Sequence, residues 1–293
     1  MAKELAHILI AQDVLLQLKR CGQQHLAKVI EENLPAFYLG AIIPDAFYYD
    51  VLPFGLRPQK LIWISRALHL KKKIKNDQKA AEFFRAIAIK PGAWRLKTAF
   101  AAGIITHTVV DRIFHELIEY YTTTWGERGP VATATHREIE TLIDVILLRL
   151  SNTGPRRFHP GLLIRLDEPT KYTLFHFYLS NLLDLPEANQ VVSLVNRLKR
   201  AYDQQCLFLT LFATRPLYHI MNMSNRIVKG RLQAWQSLFY PDRVNQESFP
   251  VLAKLKLRTM SDENIFFREL KRLRKRATIE AIQHINTALK RFA

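Results

Sequence analysis

Cysteine is scarce in this chain: Cys21 and Cys206 are the two present in 293 residues. They lie far apart and define no disulfide framework, so nothing argues for an oxidising compartment. Glycine is sparse too, at ten. No alternating apolar–polar stretch of useful length marks a strand. No apolar run reaches the roughly 20 residues of a membrane span. The first segment lacks the unbroken apolar core of a secretory signal, because Gln12 and Asp13 interrupt it. Acidic residues are outnumbered, 26 against 43 Lys and Arg, for a net charge of +17. The expectation is a cytoplasmic protein, with peripheral membrane contact as an option. Such a charge attracts polyanions, whether lipid headgroups, nucleic acid or phosphorylated substrates; it also suits a merely solvated basic surface.

What is present reads as helix. The hydrophobic fraction is 48%, and Leu, Ala, Ile, Arg and Lys dominate, all residues that favour helix or tolerate it well. Periodicity predicts helices over 3–20, 23–33, 60–75, 77–89, 93–123, 132–150, 169–183, 187–213, 215–238 and 261–291. Gly40 to Asp45 reads as a loop, since Ile43 precedes a proline, and Pro53, Gly55 and Pro58 prolong it. Pro91-Gly92 and the stretch from Gly126 to Pro130 break the chain again. The fold class expected is all-α. Asn152-Thr153-Gly154-Pro155 divides residues 1–150 from a helical C-terminal region, 151–293, packed on the first part as one unit. Arg268, Lys271, Arg272, Arg274, Lys275 and Arg276 crowd the last segment. Such a run is a solvated helix face or a polyanion-binding patch.

Histidines and carboxylates recur four residues apart in the middle of the chain. His107, Asp111 and His115 form one series; His136, Glu140 and Asp144 form another. Residues four apart share a helix face. Imidazoles and carboxylates converging between helices make a nitrogen–oxygen metal site, most often for zinc. His107 and His115 stand about 12 Å apart along a helix axis, too far to share one ion. Asp111 lies between them, and its two oxygens could bridge two ions. The alternative is that these side chains satisfy buried polar groups. His7 sits on an apolar helix face, and His69 ends another. Asp45 follows Pro44 beside Phe47, Tyr48 and Tyr49; a carboxylate buried there needs a cation or donors. His159, His176 and His219 show no site by spacing.

The ordered set Lys3-Glu4-Leu5-Ala6-His7, Gly40-Ala41-Ile42-Ile43-Pro44-Asp45, His69, His107-x-x-x-Asp111 and His136-x-x-x-Glu140 resembles the zinc-dependent phospholipase C family, related in fold to the S1/P1-type nucleases. The resemblance implies a helical bundle, over about residues 1–150, around a cluster of two or three zinc ions. It implies Asp45, His69, His107 and Asp111 on one zinc. Asp111 would bridge to a second, held by His7 and the N-terminal amine, and His136 and Glu140 with His115 would hold a third. Secreted members begin with a tryptophan freed by signal cleavage; here, loss of Met1 would leave the Ala2 amine before His7. Asp45 would serve as a ligand or as the base for the attacking water. The expected activity is phosphodiester hydrolysis, phospholipid ahead of nucleic acid. The rivals are a nuclease of the same fold and a non-catalytic, metal-stabilised helical protein that binds a membrane or partner. The C-terminal region lacks the pattern of the toxins' β-sandwich lipid-binding domain.

Overall fold

The computed structural model describes residues 4–50, 64–65, 82–89, 92–124, 129–154, 157–183, 188–241, 244–246, 248–255 and 265–292. Among them there is helix and no strand. Helix α1 (Glu4–Arg20) is buried on nearly every face in its first two turns, from Glu4 through Ala11. A helix apolar all round belongs inside a bundle. It ends where Gly22 takes φ +75°, and the Gln23 amide donates back to the Leu18 carbonyl at 3.0 Å, the glycine-dependent closure of a helix C-terminus.

Helices α2 (Gln24–Glu31) and α3 (Leu34–Gly40) follow. The stretch expected as a loop is instead a 3₁₀ helix, Ile43–Tyr49, after a two-residue turn. Pro44 lies in its first turn, where a missing amide hydrogen costs nothing. Helices α4 (Trp94–Thr124) and α5 (Gly129–Leu150) carry the two histidine–carboxylate series. Of the helices expected over 60–75 and 77–89, residues 64–65 and 82–89 are helical; the rest, His69 included, lies outside the described residues.

Two glycines set how close α3 comes to α4. A Cβ on Gly103 would sit 2.2 Å from the Phe37 carbonyl oxygen, and one on Gly40 would sit 2.1 Å from that of Phe100. Only backbones without side chains at both positions can cross this tightly.

The second half adds α6 (Glu168–Leu182), α7 (Ala188–Phe212), α8 (Arg215–Ile227) and α9 (Ile265–Phe292). The single helix expected over 215–238 is split. Lys229 and Gly230 take φ +53° and +84°, and a short turn of helix, Gln233–Gln236, follows. Asn225 holds this corner: its side chain accepts from the Leu232 amide at 2.8 Å and donates to Gln233 Oε1 at 2.9 Å. One apolar core runs from Leu5 to Ala288. Helix α9 closes it: Arg274 grips Asp13 of α1 through two bonds, 2.5 and 2.8 Å, and donates to Ser151 Oγ at 2.9 Å. Arg112 of α4 meets Glu280 of α9 at 2.6 Å.

Candidate metal centre

The α1–α4 crossing brings three candidate ligands together. His7 and His107 stack with ring centroids 4.4 Å apart and planes 16° from parallel. His7 Nε2 lies 3.3 Å from Asp111 Oδ1, and His107 Nε2 lies 3.6 Å from Asp111 Oδ2. All three are buried, and their ligand atoms lie within 4.8 Å of one another. Among the described residues, this is the one group of three with that property.

The local fold decides how His107 is used. Its Nδ1 lies 2.9 Å from the Ala41 carbonyl oxygen. A carbonyl only accepts, so Nδ1 carries the proton and Nε2 of the neutral ring presents a lone pair. That lone pair faces a carboxylate oxygen, and a cation fits between two such acceptors. A backbone carbonyl that orients a ligating imidazole is the usual support around a bound metal. The glycine crossing supplies that carbonyl: Gly103 is one turn before His107, and Gly40 precedes Ala41. Two nitrogens and a carboxylate are a donor set that suits zinc.

The second series meets α4 from α5. His136 Nε2 lies 3.2 Å from Glu140 Oε1, and the His136 and His115 rings are 5.5 Å apart. His115 Nδ1 also lies 3.5 Å from Glu119 Oε1. Burial lowers the His115 imidazole, with neighbouring positive charge, His136 included, adding to the effect. Burial alone would raise the Glu140 carboxyl; the positive charge beside it, His136 included, outweighs that and holds it at about 2. Asp144, at the same spacing, has a different role. Its Oδ1 accepts from the Ala6 amide at 2.8 Å and its Oδ2 from the Tyr240 hydroxyl at 2.7 Å. The first-turn amides of a helix have no partner within it, so Asp144 anchors the start of α1 and thereby seats His7.

A cavity of about 510 Å³ opens alongside. Glu4, Asp45, His136 and Glu140 line it, with Tyr48, Tyr49, Arg137 and the apolar side chains of Phe208, Phe212, Trp235 and Leu238. Asp45 is buried at 3% exposure. The Tyr49 hydroxyl donates to Glu4, and burial with that carboxylate keeps Tyr49 protonated far above its usual range. Thus His7, His107 and Asp111 form the tight group, while Asp45, His136 and Glu140 stand on the cavity wall. His69 and the N-terminal amine lie outside the described residues. Sequence reasoning had Glu4 in the motif that leads to His7 but gave it no site role, although it stands three residues before His7 and so shares its face. It overlooked Phe208 and Phe212, a pair at helical spacing on α7.

The described residues thus form a helical bundle with a buried group of nitrogen and oxygen donors at a helix crossing, suited to a metal ion, beside a cavity with acidic residues on its wall. The chain belongs to the zinc-dependent phospholipase C family, whose model matches residues 6–204, about two thirds of its length. Comparison with curated proteins and with solved structures returns no match.

Proposed function

We propose that this chain is a zinc-dependent phosphodiesterase that acts on phospholipid. The observation that carries the reading is the buried group of His7, His107 and Asp111, one helical turn along α1 from Glu4, which lines the cavity. Each oxygen of Asp111 faces a different imidazole, which supports Asp111 as a bridge between two ions. His136 and Glu140, with His115 across from them, would hold a further ion, for two or three in all. Zinc held there supplies Lewis acidity: it brings the pKa of water towards neutrality and offsets the charge of a phosphodiester.

The protein's own side chains do the rest. Asp45, on the cavity wall, serves as a ligand or accepts the proton of the attacking water. Tyr49 keeps its proton and fixes Glu4. The basic surface draws the protein towards anionic interfaces, an attraction that salt weakens. The exposed cations Arg268, Lys271 and Lys275 of α9 are the face for peripheral contact with an anionic membrane.

The test compares dihexanoyl phosphatidylcholine, a chromogenic phosphodiester and single-stranded DNA, each with zinc-loaded protein and with chelator. Chelator-sensitive cleavage, lipid fastest, is the expected result. If zinc-loaded protein cleaves none of them, the catalytic reading fails. Faster cleavage of DNA than of lipid selects the nuclease instead.

A further inference from the structure

Four residues of the cavity wall, Phe208, Phe212, Trp235 and Leu238, lie beyond residue 204, where the family match ends. All four are apolar or aromatic. The wall they form adjoins the acidic one through Tyr49, whose hydroxyl binds Glu4 while its ring lies 5.8 Å from Phe208 and 6.5 Å from Phe212. Phe208 and Phe212 stack at 5.6 Å, and Phe212 meets Phe239 edge-on at 5.3 Å. With cations held by the acidic wall, a ligand that fits both walls has a phosphodiester next to an apolar body.

Trp235 is the outermost of these side chains, 51% exposed. Its position is not left to chance. Helix α5 holds its turn from residues adjacent to the two candidate ligands there: Arg137 Nη1 donates to the Ala234 carbonyl at 2.9 Å, and Thr141 Oγ1 donates to that of Ser237 at 2.5 Å. The Asn225 corner holds it from the other side, through Gln233 and the Leu232 amide. A large ring held open at a cavity mouth loses little freedom when a ligand covers it.

We propose that the 232–238 turn is a substrate-selecting wall, with Trp235 packing on the acyl-bearing glycerol body of a phospholipid whose phosphodiester reaches the candidate metal centre. This rests on the phosphodiesterase reading for the same site. Stacking of a nucleobase on Trp235 is the rival; lipid is favoured because Phe208, Phe212 and Leu238 add apolar area to the same wall.

The experiment uses the zinc-loaded full chain with Trp235→Ala and Trp235→Phe, each checked for an unchanged melting temperature. Substrates are dihexanoyl phosphatidylcholine, its deacylated counterpart glycerophosphocholine, and a single-stranded oligonucleotide. Binding of a non-hydrolysable phosphonate analogue of the dihexanoyl lipid is measured by calorimetry. For Trp235→Ala, kcat/KM on the dihexanoyl lipid is expected to fall about tenfold or more, chiefly through KM, as expected for lost burial of a large ring. Phosphonate binding is expected to weaken by a similar factor and Trp235→Phe to recover most of both. Activity on glycerophosphocholine is expected to stay within about twofold, the range of a site that keeps its catalytic groups. An equal loss on both substrates, or no loss on the dihexanoyl lipid, overturns the wall. A loss confined to the oligonucleotide overturns the choice of lipid. If the wild type cleaves nothing yet binds the phosphonate in a Trp235-dependent way, the wall stands and the catalytic reading falls.

Discussion

Asp111→Asn keeps the shape of its side chain and removes the one formal negative charge from the group His7, His107 and Asp111. Asp111 is 7% exposed, so water replaces little of that charge. One pair of unit charges about 4 Å apart is worth about 4 kcal/mol at an effective dielectric of about 20. At about 1.4 kcal/mol per factor of ten, the dissociation constant for zinc weakens about a thousandfold. In the wild type, zinc at roughly a thousand times its dissociation constant stabilises the fold by about 4 kcal/mol. At about 2–4 °C per kcal/mol for a chain of this order, the melting temperature rises by about 8–16 °C. In the variant, the same zinc concentration is close to the dissociation constant and adds only about 0.4 kcal/mol, or about 1 °C. The chelated protein should lose nothing, since a neutral amide is easier to bury than a carboxylate. Thermal denaturation across a zinc titration, with bound zinc counted by elemental mass spectrometry, reads both effects. A variant that keeps the wild-type zinc-induced rise refutes the reasoning. His7→Ala removes a neutral donor and should lose less zinc than Asp111→Asn; an equal or greater loss contradicts the bridge.

Other expected outcomes follow from geometry. Gly103→Ala puts a Cβ 2.2 Å from the Phe37 carbonyl oxygen and should cost about 3 kcal/mol or prevent folding; Gly92→Ala meets nothing within 4 Å and should shift the melting temperature by about a degree at most. Arg274→Ala removes a two-pronged, partly buried contact to Asp13 and should cost about 2 kcal/mol in chemical denaturation, with lysine a poor replacement. Glu280 is depressed below its usual range: burial raises it, but Arg276 and Arg112 outweigh that. The stability it contributes is therefore present above the ordinary glutamate range and is lost as pH falls below it, by about 1 kcal/mol; Glu280→Gln should flatten this acid limb of the melting profile. Reversing Arg268, Lys271 and Lys275 to glutamate should abolish flotation with phosphatidylserine vesicles at low salt, and a triple variant that floats like wild type refutes the α9 contact face.

Helix periodicity made the all-α architecture legible, and the spacing of His107 and Asp111 was enough to place both on one face of α4. What spacing could not supply was the neighbour on the far side of that face. Asp144 has the same register as His136 and Glu140, yet α5 presents it to the start of α1 and to Tyr240. The partnership of Tyr49 with Glu4 joins residues 45 apart, and no local pattern announces it. The 3₁₀ helix over Ile43–Tyr49 was read as a loop because proline disfavours helix at the residue before it, while the first turn accepts proline readily. The corner after Ile227 was hidden for the opposite reason. Its apolar period continues through 238, and only Gly230 and a buried asparagine break it.

Helix α5 shows how one register serves several partners. His136 and Glu140 face the cavity, and Asp144, one turn further, holds α1. Arg137 and Thr141, each one residue on, hold the turn that carries Trp235. Glu138 accepts from the Val251 amide at 2.6 Å and ties in a third segment. The cavity-facing side and the wall-holding side lie about 100° apart on the same cylinder, so neither can shift along the axis without the other. The distance from His136 and Glu140 to the turn that carries Trp235 is then set by a single helix. That arrangement suits a ligand whose charged and apolar parts are joined at a fixed separation, since it sets an acidic edge against a largely apolar cavity. Each buried carboxylate on α5 answers to a particular partner, which is the condition for burying it at all.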